Sequence, residues 1–401
     1  MKILVLNCGS SSIKYQLVDM TCGAEVLAKG VIERIGLSMG ELTHKYRGQK
    51  HSEQLPVPDH VSGIKVVLSA LTSPKIGVIG ALEEIGAVGN RIVFGGRHFK
   101  ESCIVTDKVV ELIESIKDVF PLHLPGNLAG IRAMEAALPG IPQVAVFDTA
   151  FHATMPPKAY LYGLPYAYAE KYDIRRYGFH GTSHRFVAEK AASMVGKDWK
   201  EMKIISCHLG SGASICAVDR GQSVDTTLGM TPVEGLIMGS RCGDVDAGAV
   251  LYLMEKEGIG VGQMSAILNK KSGLLGISGD KQDMRDIYAA KESGDLRATH
   301  AFEAFAYRVK KYIGAYMAAM NGCDLLLLTG GIGENAWFMR RAILEEMEFL
   351  GIVCDLSKND GVMGKDIVLS VPDSRVAVVV VTTDEERVIA EDTYRLVMGR
   401  Q

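Results

Sequence analysis

Apolar positions follow two rhythms along this chain. Ile3 to Leu6 form a short unbroken apolar run, and after Gly9-Ser10-Ser11-Ser12 the apolar residues alternate at Ile13, Tyr15 and Leu17, which predicts strand, turn and strand. Residues 126 to 137, after Leu124-Pro125, read as a helix, and residues 143 to 147 as an apolar strand ending at Asp148. Further on, Phe302, Phe305, Ala306, Val309, Ile313 and Met317 fall at helical spacing within residues 300 to 320. A strand at 325–328, a loop at 329–335, a strand at 375–381 and a terminal helix through Val397 follow, and that helix is able to fold back on the first half. Strands alternating with helices imply an α/β fold.

The opening pattern recurs. Shifted by half the chain, residues 203–211 overlie residues 2–10 with Lys, Ile, Gly and Ser matched in place, and after one extra residue Ile215 overlies Ile13. Such an offset is what a duplicated two-domain protein produces. The length agrees, because 401 residues exceed a single core of roughly 250 to 300. A net charge of −3 leaves no basic excess to hold a polyanion, so nucleic acid is not an expected partner. The eight cysteines form no CxxC pair, which argues for buried free thiols rather than zinc or disulfides. The N-terminal apolar run is shorter than that of a signal peptide, and no run approaches the roughly 20 apolar residues of a membrane span. No membrane association is expected, and the expected location is the cytoplasm.

Candidate chemistry gathers in glycine-containing segments. The turns at 7–12 and 208–212 each follow a strand and could aim N–H groups and hydroxyls at phosphate, although a tight hairpin without a ligand has the same signature. No GxxxxGK[ST] sequence is present. Gly331, Gly333 and Ala336 match GxGxxA after an apolar strand, with Asp355 at the distance of a ribose-binding acid; a dinucleotide loop and a plain helix entry both fit. Arg91, Arg97, Arg241 and His180 lie beside glycines, where arginines either grip carboxylate and phosphate or form surface ion pairs. His180 and His184 stand four apart like a zinc pair, but Gly181 replaces the glutamate of HExxH and no third ligand is evident. Asp148 and Glu385 suit either Mg²⁺ or a helix N-terminus.

Five ordered segments carry a more specific likeness: residues 6–14, 146–156, 176–184, 208–214 and 330–335. Through them the chain resembles, nearly end to end, the acetate and propionate kinase family of the sugar kinase, heat-shock ATPase and actin superfamily. The resemblance implies two duplicated α/β domains of the actin-like ATPase (ribonuclease H-like) type with a cleft between them. The first would be an actin-like ATPase domain, 1–149 plus 386–401, and the second a nucleotide-binding domain, 150–385. It implies a homodimeric acetate kinase that transfers phosphate reversibly and in-line from ATP to acetate, giving acetyl phosphate and ADP, with Mg²⁺ or Mn²⁺. Propionate kinase is the near alternative; a dehydrogenase and a nucleotide-switched binding protein are the remote ones.

Carried over by position, Arg91, Asp148, His180 and Arg241 would be catalytic, and Arg91, Val93, Leu122, Phe179 and Pro232 would hold the acid. Asn7, Ser10, Ser12, Lys14, His208, Leu209, Gly210, Ser211 and Gly212 would surround the phosphates. Asp283, Met284, Arg285, Gly331, Ile332, Gly333 and Asn335 would take the nucleoside, and Asn7, Asp148 and Glu385 the metal. Asn90, Phe94, Leu124, Ser211 and Ala247 depart from the usual family pattern. The first three flank the implied acid pocket, so they bear on substrate preference more than on reaction class, while the bulk of Val93 favours a two-carbon acid.

Overall fold

The computed structural model describes residues 1–121 and 123–399, with only the backbone of Cys22. The chain separates into two compact units, Met1–Ala150 with the segment from Asp384 onward, and Phe151–Thr383.

The first unit holds β1 (Lys2–Cys8), β2 (Ser12–Asp19), β3 (Glu25–Glu33), β4 (Gly40–Tyr46), β5 (Gln49–Leu55), β6 (Ile85–Ile92), β7 (Cys103–Ile104) and β8 (Gln143–Phe147). They form one sheet in the order β5-β4-β3-β2-β1-β6-β8-β7, in which β1, β6 and β8 are parallel. The unbroken apolar run of β1 is explained by burial on both faces. Leu4 and Leu6 face a core with Ile64 and Leu71 of helix His60–Thr72 and Met134 of helix Leu124–Ala137, while Ile3 and Val5 face Ile389 and Ala390 of helix Glu385–Met398.

In the second unit, β9 (Lys203–Leu209), β10 (Ala213–Asp219), β11 (Gln222–Thr226), β12 (Leu325–Thr329), β13 (Ile367–Val368) and β14 (Ala377–Val380) are ordered β11-β10-β9-β12-β14-β13. Strand for strand this repeats β3-β2-β1-β6-β8-β7, including the two-residue antiparallel strand beside the last parallel one. The repeat seen in the sequence is therefore a repeat of topology. One detail needs correction: Cys8 pairs with Ile13 but Leu209 with Ala213, so Ala213 stands where Ile13 does. Ile215, opposite Cys207, corresponds to Tyr15 opposite Leu6. The second turn is shorter rather than longer, and the two-residue side-chain period keeps Ile215 on the matching face despite the slip.

The segment 329–335, expected as a loop, contains a helical turn, Gly330–Asn335. The Glu334 carboxylate folds back to accept from Gly330 N (3.0 Å), Thr329 Oγ1 (3.2 Å) and Thr383 N (3.0 Å) and so holds the turn closed. Gly330 has φ +77°, and a Cβ there would meet the Leu209 backbone at 2.8 Å, so glycine is required. Cysteine burial is also less complete than expected: Cys8, Cys207, Cys216 and Cys323 are buried, but Cys103, Cys242 and Cys354 only partly.

Candidate active site

In both units the chemistry-bearing residues collect at the carboxyl ends of the parallel strands, where open α/β sheets bind ligands. In the first unit Asn7 and Arg91 are the penultimate residues of β1 and β6, and Asp148 follows β8. Lys14 pairs with Asn7 across the hairpin, Ser10 lies in its turn, and Ser12 opens β2. Gly9 N donates to Ser12 O at 2.8 Å, closing the turn. His60 Nε2 donates to Gly9 O at 2.7 Å. Asn127, which sequence reading passed over, ties this region together: its Nδ2 donates to Cys8 O (2.7 Å) and its Oδ1 accepts from Val93 N (3.1 Å). The available signal was a polar residue within an otherwise apolar helix face.

Arg91 is held by carboxylates. Its Nε and Nη2 donate to the two oxygens of Asp148 at 2.9 and 2.7 Å, and Glu385 Oε2 lies 3.7 Å from Nη2. Burial works against the charged guanidinium, but Asp148 and Glu385 outweigh it and raise Arg91 above the ordinary arginine value. Glu386, also unread in the sequence, adds a carboxyl pushed upward by burial. Of the departures from the family pattern, Asn90 is buried with its amide on Gln143 Oε1 and Val144 O, Phe94 stacks on Phe120 at 4.5 Å, and Leu124 is fully buried. Leu122 lies outside the described residues.

In the second unit the shorter hairpin brings His208, Leu209, Gly210, Ser211 and Gly212 to the matching strand end. Gly210 N donates to Gly212 O (3.1 Å) and Gly239 N to Ser211 O (3.0 Å), so this turn is held by backbone. Gly212 is the meeting point: a Cβ there would lie 3.6 Å from His180 Nε2 and 3.7 Å from Arg241 Nη1. Arg241 Nη1 also donates to Pro232 O at 3.1 Å. Among the described residues no carboxylate pairs with Arg241, and burial lowers its pKa. His180, with φ +58°, occupies the left-handed region just before helix Gly181–Met194. Its ring stacks on His208 at 4.5 Å, and its Nδ1 meets Ser214 Oγ at 2.9 Å. Phe179 is buried, and its carbonyl accepts from His152 Nε2. The spacing of His180 and His184 reflects a serine network instead of a ligand pair: His184 Nδ1 bonds Ser206 and Nε2 bonds Ser214, each at 2.8 Å.

A cleft of about 390 Å³ in this unit is lined by Gly210, Ser211, Asp283, Met284, Arg285, Gly331, Ile332 and Asn335, all singled out in the sequence, together with Gln282, Ala336 and Met363. Gly333 is buried beneath, where its Cβ position meets Leu328. Asp283 pairs with Arg285 (Nη2–Oδ2 2.7 Å), which lowers its pKa. Asp355 is absent from the lining and instead accepts from Ser357 and pairs with Lys358, which removes the ribose acid that a dinucleotide reading requires.

A sequence profile of the Acetokinase family matches residues 2–391. The chain belongs to the acetokinase family. It is 54% identical over 398 residues to an acetate kinase of Halothermothrix orenii, covering 99% of this chain and 100% of the relative. It is 52% identical to an acetate kinase of Thermotoga maritima, with 99% of each chain covered. Among solved structures it is similar to Porphyromonas gingivalis acetate kinase, with TM-score 0.96, 48% identity and 99% of each chain covered. It is also similar to a propionate kinase from Francisella tularensis, with TM-score 0.91, 38% identity, and 98% and 99% covered. Acetokinase membership makes the chain a kinase of the acetate kinase type. Among the described residues no helix is long and apolar enough to cross a membrane.

Proposed function

We propose that the chain transfers the terminal phosphoryl group of ATP directly to acetate, reversibly. The observation that carries this reading is the convergence of His180 Nε2 and Arg241 Nη1 on Gly212 in the turn after β9. There a ring nitrogen and a guanidinium without a carboxylate partner face a backbone suited to phosphate.

Acetate is ionised at neutral pH, so attack on phosphorus needs no general base. The work left to the protein is to hold two anions together and to neutralise charge on the equatorial oxygens. Arg241 binds the moving phosphoryl group, and His180 donates a hydrogen bond to it. Arg91, oriented by Asp148, binds the acetate carboxylate and the phosphoryl group, with Val93 against the methyl; Phe179 and Pro232 are the acid-pocket residues of the second unit. In the second unit His208 to Gly212 hold the ADP phosphates; in the first, Asn7, Ser10, Ser12 and Lys14 serve phosphate at their own hairpin. The nucleoside occupies the cleft at Asp283, Arg285, Ile332 and Asn335, whose volume suits a small ligand.

Asn7, Asp148 and Glu385 all belong to the first unit and offer hard oxygen donors, a set that fits Mg²⁺, which typically takes one or two carboxylates and keeps several waters. Bound there with ATP, the ion would neutralise phosphate charge. The first unit is then the actin-like ATPase domain, the second the nucleotide-binding domain. Helix Ala247–Glu257 buries none of its residues and exposes Leu251 and Tyr252, which supports a homodimer; the expected location is the cytoplasm.

The test is ATP-dependent acyl phosphate formation, trapped as hydroxamate, with acetate, propionate and butyrate compared in the presence of Mg²⁺. Acetate is expected to have the highest kcat/KM. A higher value for propionate would overturn the acetate assignment and leave the phosphoryl transfer mechanism standing.

A further inference from the structure

Four buried or half-buried histidines of the second unit, His152, His180, His184 and His208, pack ring against ring, and each bonds a serine hydroxyl. One chain of these bonds runs Ser206 Oγ, His184, Ser214 Oγ, His180 Nδ1, with steps of 2.8, 2.8 and 2.9 Å. His184 is fully buried, and burial holds its pKa well below the ordinary histidine value, so it is neutral with one N–H. Ser214 also has one proton and lies between two ring nitrogens.

Two arrangements have Ser214 both donating and accepting; a third, in which Ser214 accepts from both rings, strands its own buried proton and is set aside on that cost. In the first, Ser206 donates to His184 Nδ1, His184 Nε2–H donates to Ser214, and Ser214 donates to His180 Nδ1, so that neutral His180 carries its proton on Nε2. In the second every bond is reversed, and neutral His180 presents a bare lone pair at Nε2, repelling an anionic oxygen. Ser206 decides between them. Its side chain is fully buried and, among the described residues, its hydroxyl has His184 as its partner. The reversed arrangement would use that hydroxyl as an acceptor and strand its proton, a cost of about 1 to 3 kcal/mol for a buried donor.

We infer that Ser214, relaying the proton arrangement of buried His184, fixes His180 as its Nε2–H tautomer and is a positioning residue for phosphoryl transfer. This rests on the reading of His180 as donor to the phosphoryl group. The nitrogen facing Gly212 is then a donor without any proton having to be taken up from solution.

The test combines ¹⁵N NMR of the histidine-labelled full-length protein with steady-state kinetics. In the native protein His180 is expected to show a protonated Nε2 and an acceptor Nδ1; the opposite tautomer would overturn the inference, whether or not any variant folds. Ser214→Ala is expected to lower kcat by about tenfold with little change in the KM for acetate, and to mix the His180 tautomers. Ser223→Ala removes an equally buried hydroxyl, from His152 on a branch that ends at the Phe179 carbonyl and makes no bond to the His180 ring, and should leave kcat within about twofold. A native kcat in Ser214→Ala, or an equal loss in Ser223→Ala, would overturn the relay. In a His180→Ala background Ser214→Ala should cost nothing further. Native turnover in His180→Ala alone would overturn the role of His180 and the relay with it, which separates that failure from a failure of Ser214.

Discussion

The two units repeat one topology, yet they treat an arginine at the strand ends in opposite ways. Arg91 is clamped by Asp148 and flanked by Glu385, and these carboxylates raise its pKa against the pull of burial. Arg241 has a carbonyl partner in Pro232 and no carboxylate, and burial lowers its pKa. The first charge is compensated by carboxylates of the protein; the second has no carboxylate partner among the described residues. Duplication supplied the scaffold twice, and the side chains at the strand ends divided the work. The hairpins differ as well: each turn is closed by a backbone bond, to which the turn after β1 adds side-chain bonds from Asn127 and His60 and the turn after β9 a second backbone bond from Gly239.

The contrast between the arginines should appear first as a difference in stability. Arg91→Ala removes the bidentate guanidinium from the buried Asp148 carboxylate and is expected to cost about 3 kcal/mol of unfolding free energy, besides at least a hundredfold in kcat. Urea denaturation read beside turnover checks this, and a stable but inactive Arg91→Ala would break the comparison. Next in size, Asn127→Ala orphans Val93 N and Cys8 O and should cost about 1 to 3 kcal/mol per group left buried. Hydrogen exchange should then speed up in the turn after β1 and not in the turn after β9; equal acceleration would contradict the different anchoring.

The smallest effect is set by pH. Burial lowers His152 to about 4 and holds His184 well below its ordinary value, so both stay neutral in the folded protein while the unfolded chain takes up protons below about pH 6.5; His44, also lowered by burial, takes up its proton later than in the unfolded chain. The unfolded state binds more protons across that window, so stability must fall as pH drops through it, by at most about 1.4 kcal/mol per unit for each histidine. Asp225 and Glu386, raised by burial, oppose this. Two of the three histidines lie in the second unit. After correction for intrinsic rates, amides of β9 to β11 should lose more protection than those of β1 to β3 between about pH 7 and about pH 5.5; an equal loss would remove the asymmetry.

Much of this was legible in the sequence, because apolar periodicity and glycine turns are local signals. Strand 143–147 and the terminal helix follow directly from their patterns, and the half-chain repeat anticipates the matched sheets. The slip at Ile215 shows the limit: a one-residue difference in turn length is resolved only by strand pairing. Asn127, Glu334, Glu386 and Ser214 were not legible because their importance comes from partners distant in sequence. Glu334, for instance, closes its own helical turn and also caps Thr383. The GxGxxA match misled in the opposite direction, since Asp355 follows at the right spacing but serves its own turn.

The central claim is that Arg241 holds an uncompensated charge for the moving phosphoryl group. The direct test is acetyl phosphate formation by Arg241→Ala with and without added guanidinium ion, with thermal stability measured on the same samples. The account predicts a fall in kcat of at least about a hundredfold, roughly 2.7 kcal/mol of transition-state stabilisation, partial recovery with guanidinium, and no loss of stability. Near-native turnover, or a stability loss matching that of Arg91→Ala, would contradict it.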